Sequence, residues 1–424
     1  MGTPDRIPEI PRTTLGLQRS PRTDSLDASA KAKSAVKTFS IARGGAVHDF
    51  VACFPPFNAF LSTVRRRILI LAALTWLPLL VLSVKDGVAL GHQVRIPFLY
   101  DLSMYGRFLI GLPLLVAAET VIDPPVRRGL AELVETGIVP DQELPQFENL
   151  LQKMQRLRLS AVPGIILATL AFFPTFLFQH EWTYGAVSNW HTTARGLTAA
   201  GWWFAVFSSP MLRFIIYRWA FRYFIWALLL RRLGKMRLVL MPTHPDRAGG
   251  LNVLGITQKR FGILFGALGC GFAGRIANGI VFEGMPLSSY QYLMVGFLLL
   301  SVIAGLFPLA LLAPKLNKVR RSGLLEYGRL ADTYSKLFDQ KWVHNSEPPS
   351  EPLLGTSDIQ SLANMGSSYR LVDAMRIAPI SKRLVVRLAL QAALPLIPVI
   401  ILGTPVPELH HLEKLLQLIL KMVV

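Results

Sequence analysis

The sequence predicts an all-α fold: a polytopic transmembrane helical bundle of about seven spans with a cytoplasmic helical cap. Hydrophobic residues make up 52% of the 424 residues and charged residues only 17%, which is too apolar for a soluble protein of this length. The apolar residues fall into runs of roughly 20, the length that crosses a hydrocarbon core of ~30 Å. Lys and Arg crowd the ends of these runs, as they do beside an anionic membrane surface.

Residues 1–50 are expected to form a disordered basic tail, because polar residues dominate and large apolar residues are few. The first apolar run begins near Ile68, so we expect no cleavable signal peptide. The transmembrane bundle then covers 51–313 and a cytoplasmic helical loop covers 314–383. The last span and a carboxyl-terminal amphipathic helix cover 384–424, and this helix is expected at the interface or at the edge of the bundle.

The candidate spans are the segments with enough apolar length to cross a bilayer. They are residues 68–84, 97–122, 161–178, 199–217, 261–282, 292–313 and 384–402. Basic residues fill the segment before the first span and the loops after the second, fourth and sixth spans, whereas the other loops hold few. Since cytoplasmic loops carry the excess of Lys and Arg, the amino terminus is expected in the cytoplasm.

The fourth apolar segment continues to Leu233, about 50 Å if helical throughout, which exceeds the hydrocarbon thickness. The sequence Ser208-Ser209-Pro210 offers a kink within it. Its basic and aromatic tail fits a helix lying along the inner leaflet, and it also fits a basic conduit for anions.

The predicted cytoplasmic loops carry helical patterns of their own. Apolar residues recur at helical spacing after Pro145 and again after Gly323. Ser357 and Gln360 fit a capping box at the start of a further helix. Together these loops predict a helical cap under the membrane.

Five ionisable residues lie within the predicted spans: Asp101, Arg107, Glu119, Arg275 and Arg387. A helical rise of ~1.5 Å per residue places Arg275 level with Asp101, and Arg387 level with Glu119. We therefore predict the ion pairs Asp101–Arg275 and Glu119–Arg387, with Arg107 facing polar groups or water. Such residues serve either structural pairing or a path for a solute or ion.

The fifth span is rich in glycine, including Gly262, Gly266, Gly269, Gly271 and Gly274. Small residues let helix backbones approach closely in lipid, so this span is expected to be the most buried of the bundle. A flexible gate is the alternative role for the same residues.

The turn-rich stretch 241–255 contains His244, Asp246, Arg247, Gly249 and Gly250. It fits a structural turn in which Asp246 accepts backbone N–H bonds and the glycines supply positive φ. It also fits a site for a lipid head group or phosphate, with Arg247 and exposed N–H groups as donors. A metal site built on His244 and Asp246 is a third interpretation, but the spacing requires no metal, cofactor or catalytic residue.

Several separated motifs resemble a family of uncharacterised bacterial polytopic inner-membrane proteins. The motifs are His244-Pro-Asp-Arg-Ala-Gly-Gly-Leu, Phe307-Pro308-Leu309, Ala313-Pro314-Lys315, Gly323-Leu-Leu-Glu-Tyr-Gly-Arg-Leu-Ala, Phe338-Asp-x-Lys-Trp342 and the segment 352–363. The resemblance covers residues from about Ile68 to the carboxyl terminus. It implies a multi-pass protein of the bacterial cytoplasmic membrane and no particular activity.

The sequence favours a channel-like or transporter-like protein whose polar path uses the charges of the spans. The alternative is a membrane scaffold or sensor that binds a partner or lipid head groups through its cap. An enzyme is less favoured, because only His244 and Asp246 come close to an acid–base or metal pair. The expected partners are the lipid bilayer and its anionic lipids, with a homo-oligomer possible. Nucleic acid is not expected despite the formal charge of +19.

Overall fold

The computed structural model describes residues 21–42, 63–91, 93–177, 188–193, 196–344 and 357–404. These residues form eleven helices and one small hairpin. In chain order the helices are α1 (Pro21–Thr38), α2 (Val64–Lys85), α3 (Leu102–Glu135), α4 (Leu144–Leu159), α5 (Ala161–Leu177), α6 (Ala199–Leu233), α7 (Asn252–Phe282), α8 (Leu287–Ala310), α9 (Ala313–Phe338), α10 (Ser357–Asp373) and α11 (Lys382–Gly403). The predicted all-α fold is confirmed.

Six of these helices are long and apolar enough to cross a membrane: α2, α3, α6, α7, α8 and α11. A seventh span requires a bent pair, Asp141–Leu159 with Ala161–Pro174, which turns by 42°. The expected span over 161–178 is therefore the weakest of the seven, since α5 has only 17 residues. The helices fit an integral membrane protein with several membrane-spanning segments.

Both α3 and α6 change their hydrogen-bonding pattern partway along. Residues Tyr105–Gly111 of α3 and Phe204–Ser208 of α6 are π-helical, and Phe108 packs edge-on against Phe204 with ring centroids 6.3 Å apart. The expected break near Pro210 is thus a π-helical stretch that ends just before the proline. Pi-helical turns inside α-helices are frequent at functional sites.

The hairpin pairs β1 (Thr192–Thr193) with β2 (Gly196–Leu197) just before α6 begins. Thr198 ends it and caps α6, because its hydroxyl accepts the backbone N–H of Gly201 at 2.9 Å. This connection holds Trp190 and His191 against the bundle, where both lie beside Phe204.

The glycine-rich helix α7 is the most buried of the six candidate spans, with 56% of its apolar window inside the bundle. Its glycines face two helices: Gly262, Gly266 and Gly269 lie against α11, whereas Gly271 and Gly274 lie against α3. A Cβ at Gly274 would meet the carbonyl oxygen of Leu102 at 2.7 Å, and one at Gly106 would overlap the backbone carbonyl of Cys270. The predicted close approach is confirmed, because the two backbones touch where no side chain separates them.

Part of the predicted disordered tail is ordered. Pro21–Thr38 is helical, and Val36, Phe39, Ile41 and Ala42 are buried against the bundle. The prediction of disorder is wrong for this stretch. Its few apolar residues pack against the bundle, and local composition does not reveal that such a surface is available.

The cap helices form as the patterns predict, with one extension. Helix α4 buries Phe147, Leu150, Leu151 and Met154, and α10 begins at Ser357. Helix α9 begins at Ala313, earlier than its apolar pattern indicates, so it follows the end of α8 almost directly. The predicted carboxyl-terminal amphipathic helix lies outside the described residues.

Candidate functional site

Asp101 lies at the amino end of α3 and is 5% exposed. Its carboxylate accepts four hydrogen bonds, and their donors are Ser103 N (3.0 Å), Ser103 Oγ (2.6 Å), Asn278 Nδ2 (2.7 Å) and Trp190 Nε1 (2.9 Å). The donors come from three segments of the chain, so this carboxylate ties α7 and the hairpin to the start of α3. A buried charge with this many donors is well stabilised without a cation.

The predicted pair Asp101–Arg275 is wrong. Arg275 instead contacts Glu283, with Nη1 and Oε1 3.3 Å apart, and its side chain is 61% exposed. Helical rise gives the depth of a residue in the membrane and leaves open the side of the helix on which it lies. The face of α7 that meets Asp101 carries Asn278 instead of Arg275.

Arg107 lies in the π-helical stretch of α3, about 9 Å along the helix from Asp101. It is partly buried, and it interacts electrostatically with Asp101 and Arg275. Gly271 leaves room for it, since a Cβ there would lie 3.1 Å from Arg107 Cγ. Within the part of the chain that the structure describes, Arg107 forms neither a hydrogen bond nor an ion pair. The prediction that it faces polar groups or water is compatible with this placement.

His191 was not singled out by the sequence, yet it lies beside the same charges. Its ring stacks on Phe204 with centroids 6.1 Å apart. Burial lowers the pKa of His191 to about 4; Asp101 opposes this shift and Arg107 reinforces it. The imidazole is therefore neutral near pH 7. Only the folding of the hairpin against α6 places it here, so no local sequence signal could have found it.

Glu119 lies further along α3, about 18 Å from Arg107. Its two oxygens pair with Arg67 Nη1 of α2 and Arg222 Nη1 of α6, each at 2.9 Å. The predicted pair Glu119–Arg387 is therefore wrong. Arg387 is exposed on α11, a helix that packs mainly against α7 and α8, so matching depth does not make it a neighbour of α3.

A second buried carboxylate, Asp123, lies one turn beyond Glu119 and is fully buried. It accepts from Ser40 Oγ at 2.7 Å, from Ile41 N at 2.9 Å and from Ala42 N at 3.2 Å, and it pairs with Arg127. It thus fixes the segment that follows α1 against α3. The sequence carries one signal for this role. Asp123 follows Glu119 by four residues, so the two carboxylates lie on the same face of α3.

The loop that begins at His244 is organised by Asp246. The carboxylate of Asp246 accepts backbone N–H bonds from Ala248 (2.7 Å), Gly250 (3.2 Å) and Asn252 (3.0 Å). His244 Nδ1 lies 2.8 Å from Asp246 Oδ1. Burial alone would raise the pKa of Asp246, but these hydrogen bonds outweigh it and hold the pKa below its ordinary value.

The loop has the left-handed backbone that its sequence predicts. Gly249 and Gly250 have φ of +64° and +95°, and Arg247 also has a positive φ, 55°. Arg376 ties the loop to the segment before α11, because its N–H donates to the Arg247 carbonyl at 2.8 Å and its Nη2 to the Asp246 carbonyl at 2.6 Å. These contacts support the structural interpretation of the loop.

The anion interpretation of this loop loses one of its donors. The N–H of Gly250 is directed at Asp246, so it is not free for a phosphate, although the Arg247 side chain is exposed. The metal interpretation would require a third ligand beside His244 and Asp246. Among the described residues, no group of three His, Cys, Asp or Glu side chains could hold a metal ion.

Replacing Asp246 by alanine is expected to lower the free energy of unfolding by about 1–3 kcal/mol, because three backbone donors lose their acceptor. Asp246→Asn retains one acceptor oxygen and is expected to lose less. Denaturant titration of the purified protein in detergent measures both changes. Asp141→Ala, at an exposed carboxylate, is the control; equal losses in Asp246→Ala and Asp141→Ala would contradict the structural role.

No family model matches the chain, and neither the curated proteins nor the solved structures include a match to it.

Proposed function

We propose that this integral membrane protein is channel-like or transporter-like and passes an anionic solute along α3, with Arg107 as the central polar group. The observation that carries the proposal is the position of Arg107 within a membrane-spanning helix, without a hydrogen bond or ion pair to any described residue. An ionised side chain at that depth is costly, and such residues usually face a partner or a water-filled path.

The surroundings of Arg107 favour an anion over a cation. Arg107 interacts electrostatically with Arg213 of α6 and with Arg275 of α7, so three spans contribute positive charge to one region. Asp101, the carboxylate that interacts electrostatically with Arg107, already accepts four hydrogen bonds from neutral donors, and Glu283 pairs with Arg275. Positive charge near the path attracts anions and repels cations.

The helices around Arg107 support this proposal in one further way. The π-helical stretches of α3 and α6 lie against each other at Phe108 and Phe204, and π-helical turns inside α-helices are frequent at functional sites. The Arg107 side chain lies against Gly271 of α7, where the absence of a Cβ leaves room for it.

Anion flux into liposomes that contain the purified protein tests the proposal. Arg107→Gln is expected to reduce flux at least about tenfold, because the neutral amide no longer offsets the cost of an anion in the membrane. Arg107→Lys retains the charge and is expected to keep part of the flux. Arg232→Gln, at an exposed arginine of α6, serves as the control.

Two results would oppose transport. One is wild-type protein that passes none of the inorganic and small organic anions tested. The other is Arg107→Gln protein that keeps wild-type flux while its thermal stability changes, which would make Arg107 a structural residue only.

A scaffold or sensor is the second candidate, supported by the surface of α9. Leu325, Leu330 and Leu337 are 64%, 53% and 59% exposed on this helix. Leu330 and Leu337 lie seven residues apart on one face of the helix, and exposed apolar side chains that share a face are typical of a surface that contacts a partner or a lipid surface. For either function we propose a bacterial inner membrane and a cytoplasmic amino terminus, on the basis of the motif resemblance and the distribution of Lys and Arg.

A further inference from the structure

Helices α7 and α11 pack side by side and run in the same direction. A Cβ at Gly262 would lie 3.2 Å from Leu388 Cδ2, and a Cβ at Gly269 would lie 3.2 Å from Pro395 Cγ. Seven residues separate the two contacts on each helix, so the residue numbers of the two helices advance together. The start of the apolar run of α7, near residue 260, therefore lies level with residues 385–387 of α11.

This level carries three basic side chains, Lys259, Arg260 and Arg387, which we call the basic patch. Lys259 interacts electrostatically with both arginines, one from its own helix and one from α11. Arg260 and Arg387 are exposed, and Lys259 is partly exposed. The patch is therefore formed by two helices and is open to the surroundings of the bundle.

No carboxylate balances the basic patch among the residues that the structure describes. Helices α7, α8 and α11, which pack together here, contain no Asp or Glu. The side chains of the patch form no hydrogen bond or ion pair within the described ranges, and both electrostatic partners of Lys259 are positively charged. Like charges that are brought together are costly unless an opposite charge joins them.

Beyond the patch, the same face of α11 is apolar and exposed. Leu394 and Ile401 follow Arg387 at intervals of seven residues, which places all three on one side of the helix. The side chains of Leu394 and Ile401 are 66% and 45% exposed on a helix that is long and apolar enough to cross a membrane. The apolar runs of the two helices begin at Phe261 and Leu384, so the patch lies where the spans meet the lipid head groups.

We propose that the basic patch binds the phosphate of an anionic phospholipid whose acyl chains lie along Leu394 and Ile401. The arginine forks and the Lys259 ammonium match the phosphate oxygens, and the exposed apolar side chains match the acyl chains of the same molecule. A soluble phosphate would match the charges only. The lipid supplies the negative charge that α7, α8 and α11 lack.

Thermal stability of the full-length protein in a non-ionic detergent tests the proposal, in separate titrations with phosphatidylglycerol and with phosphatidylcholine of the same acyl chains. Phosphatidylglycerol is expected to stabilise saturably and at lower concentration, because its head group carries a net negative charge. Arg387→Gln and, separately, Lys259→Gln are expected to raise the concentration of phosphatidylglycerol for half-maximal stabilisation about fivefold. Neither substitution is expected to change the response to phosphatidylcholine.

Arg231→Gln is the matched control, because Arg231 is an exposed arginine in the last turn of α6, the end from which the chain leads to α7, and lies outside the patch. Arg387→Lys keeps the charge and is expected to stay within about twofold of the wild-type protein. If Arg387→Gln does not fold, Lys259→Gln decides the test.

Three results would overturn the proposal. The first is equal stabilisation by the two lipids, and the second is an Arg231→Gln variant that responds to phosphatidylglycerol as weakly as the patch variants. The third is inorganic phosphate that alone stabilises the wild-type protein as much as phosphatidylglycerol but not Arg387→Gln, which would assign the patch to a soluble anion. The assay measures no flux, so its outcome is independent of the transport test.

Discussion

Replacing Gly106 by alanine is expected to lower the free energy of unfolding by at least about 2–3 kcal/mol, one of the largest losses for so small a change. The added Cβ would overlap the carbonyl oxygen of Cys270 and lie 3.0 Å from its carbon. Both atoms belong to the backbone of α7, so neither can rotate away as a side chain would. The two helices must separate, and the contact between α3 and α7 weakens along its length.

Titration of the purified protein with denaturing detergent, followed by circular dichroism, measures this loss. Gly296→Ala is the matched control, because Gly296 lies in the membrane-spanning helix α8 and a Cβ there meets nothing within 4 Å. It is expected to be neutral or to stabilise by up to about 1 kcal/mol, since alanine favours a helix over glycine. Similar stabilities of Gly106→Ala and Gly296→Ala would rule out the tight contact between α3 and α7.

Replacing Asp101 by alanine is expected to cost about 3–5 kcal/mol. The substitution leaves four donors without their acceptor, among them the buried Trp190 indole and the Asn278 amide. It also leaves Arg107 without the nearest negative charge with which it interacts. The same titration measures the change.

A surface carboxylate serves as the control, because it has the same charge as Asp101 but lies outside the buried contacts. Asp332 is 63% exposed and pairs only with Lys336 one turn along α9, so Asp332→Ala is expected to change stability little. Asp101→Asn keeps the shape and one acceptor oxygen, and it is expected to lie between the two alanine variants. A loss for Asp101→Ala no larger than that for Asp332→Ala would refute the role of Asp101 as the group that joins α3, α7 and the hairpin.

The two predictions bear on function in different ways. Gly106 is the residue before Arg107, so the contact that Gly106 permits sets the distance between this arginine and Gly271. Asp101 fixes the start of the same helix. If the proposed anion flux is measured, a variant at either position that remains folded is expected to alter it, because the variant changes where Arg107 lies relative to α7.

Composition and apolar run length alone determined that this chain is a helical membrane protein, since lipid imposes one simple requirement on length and polarity. Glycine content also sufficed to identify α7 as the most buried candidate span, because small residues let helix backbones approach closely in lipid. The turn around Asp246 followed from local residue types for a similar reason: its hydrogen bonds connect neighbours in the sequence.

The partners of the intramembrane charges were decided by tertiary structure. Depth along a helix follows from residue number, but rotation about the helix axis and the choice of neighbouring helix depend on how all the spans pack. Asp101 therefore meets Asn278 and Trp190 instead of Arg275, and Glu119 meets Arg67 and Arg222 instead of Arg387.

The contacts of Glu119 and of the buried segment around Ser40 depend on the same kind of information. Ser40 and Asp123 are 83 residues apart, and Arg222 lies 103 residues from Glu119, so no local pattern connects them. The sequence determined that the charges exist and how deep they lie. Only the packing of α2, α3, α4 and α6 brought them together, because long-range contacts are fixed by the shape of whole helix faces and not by the spacing within one of them.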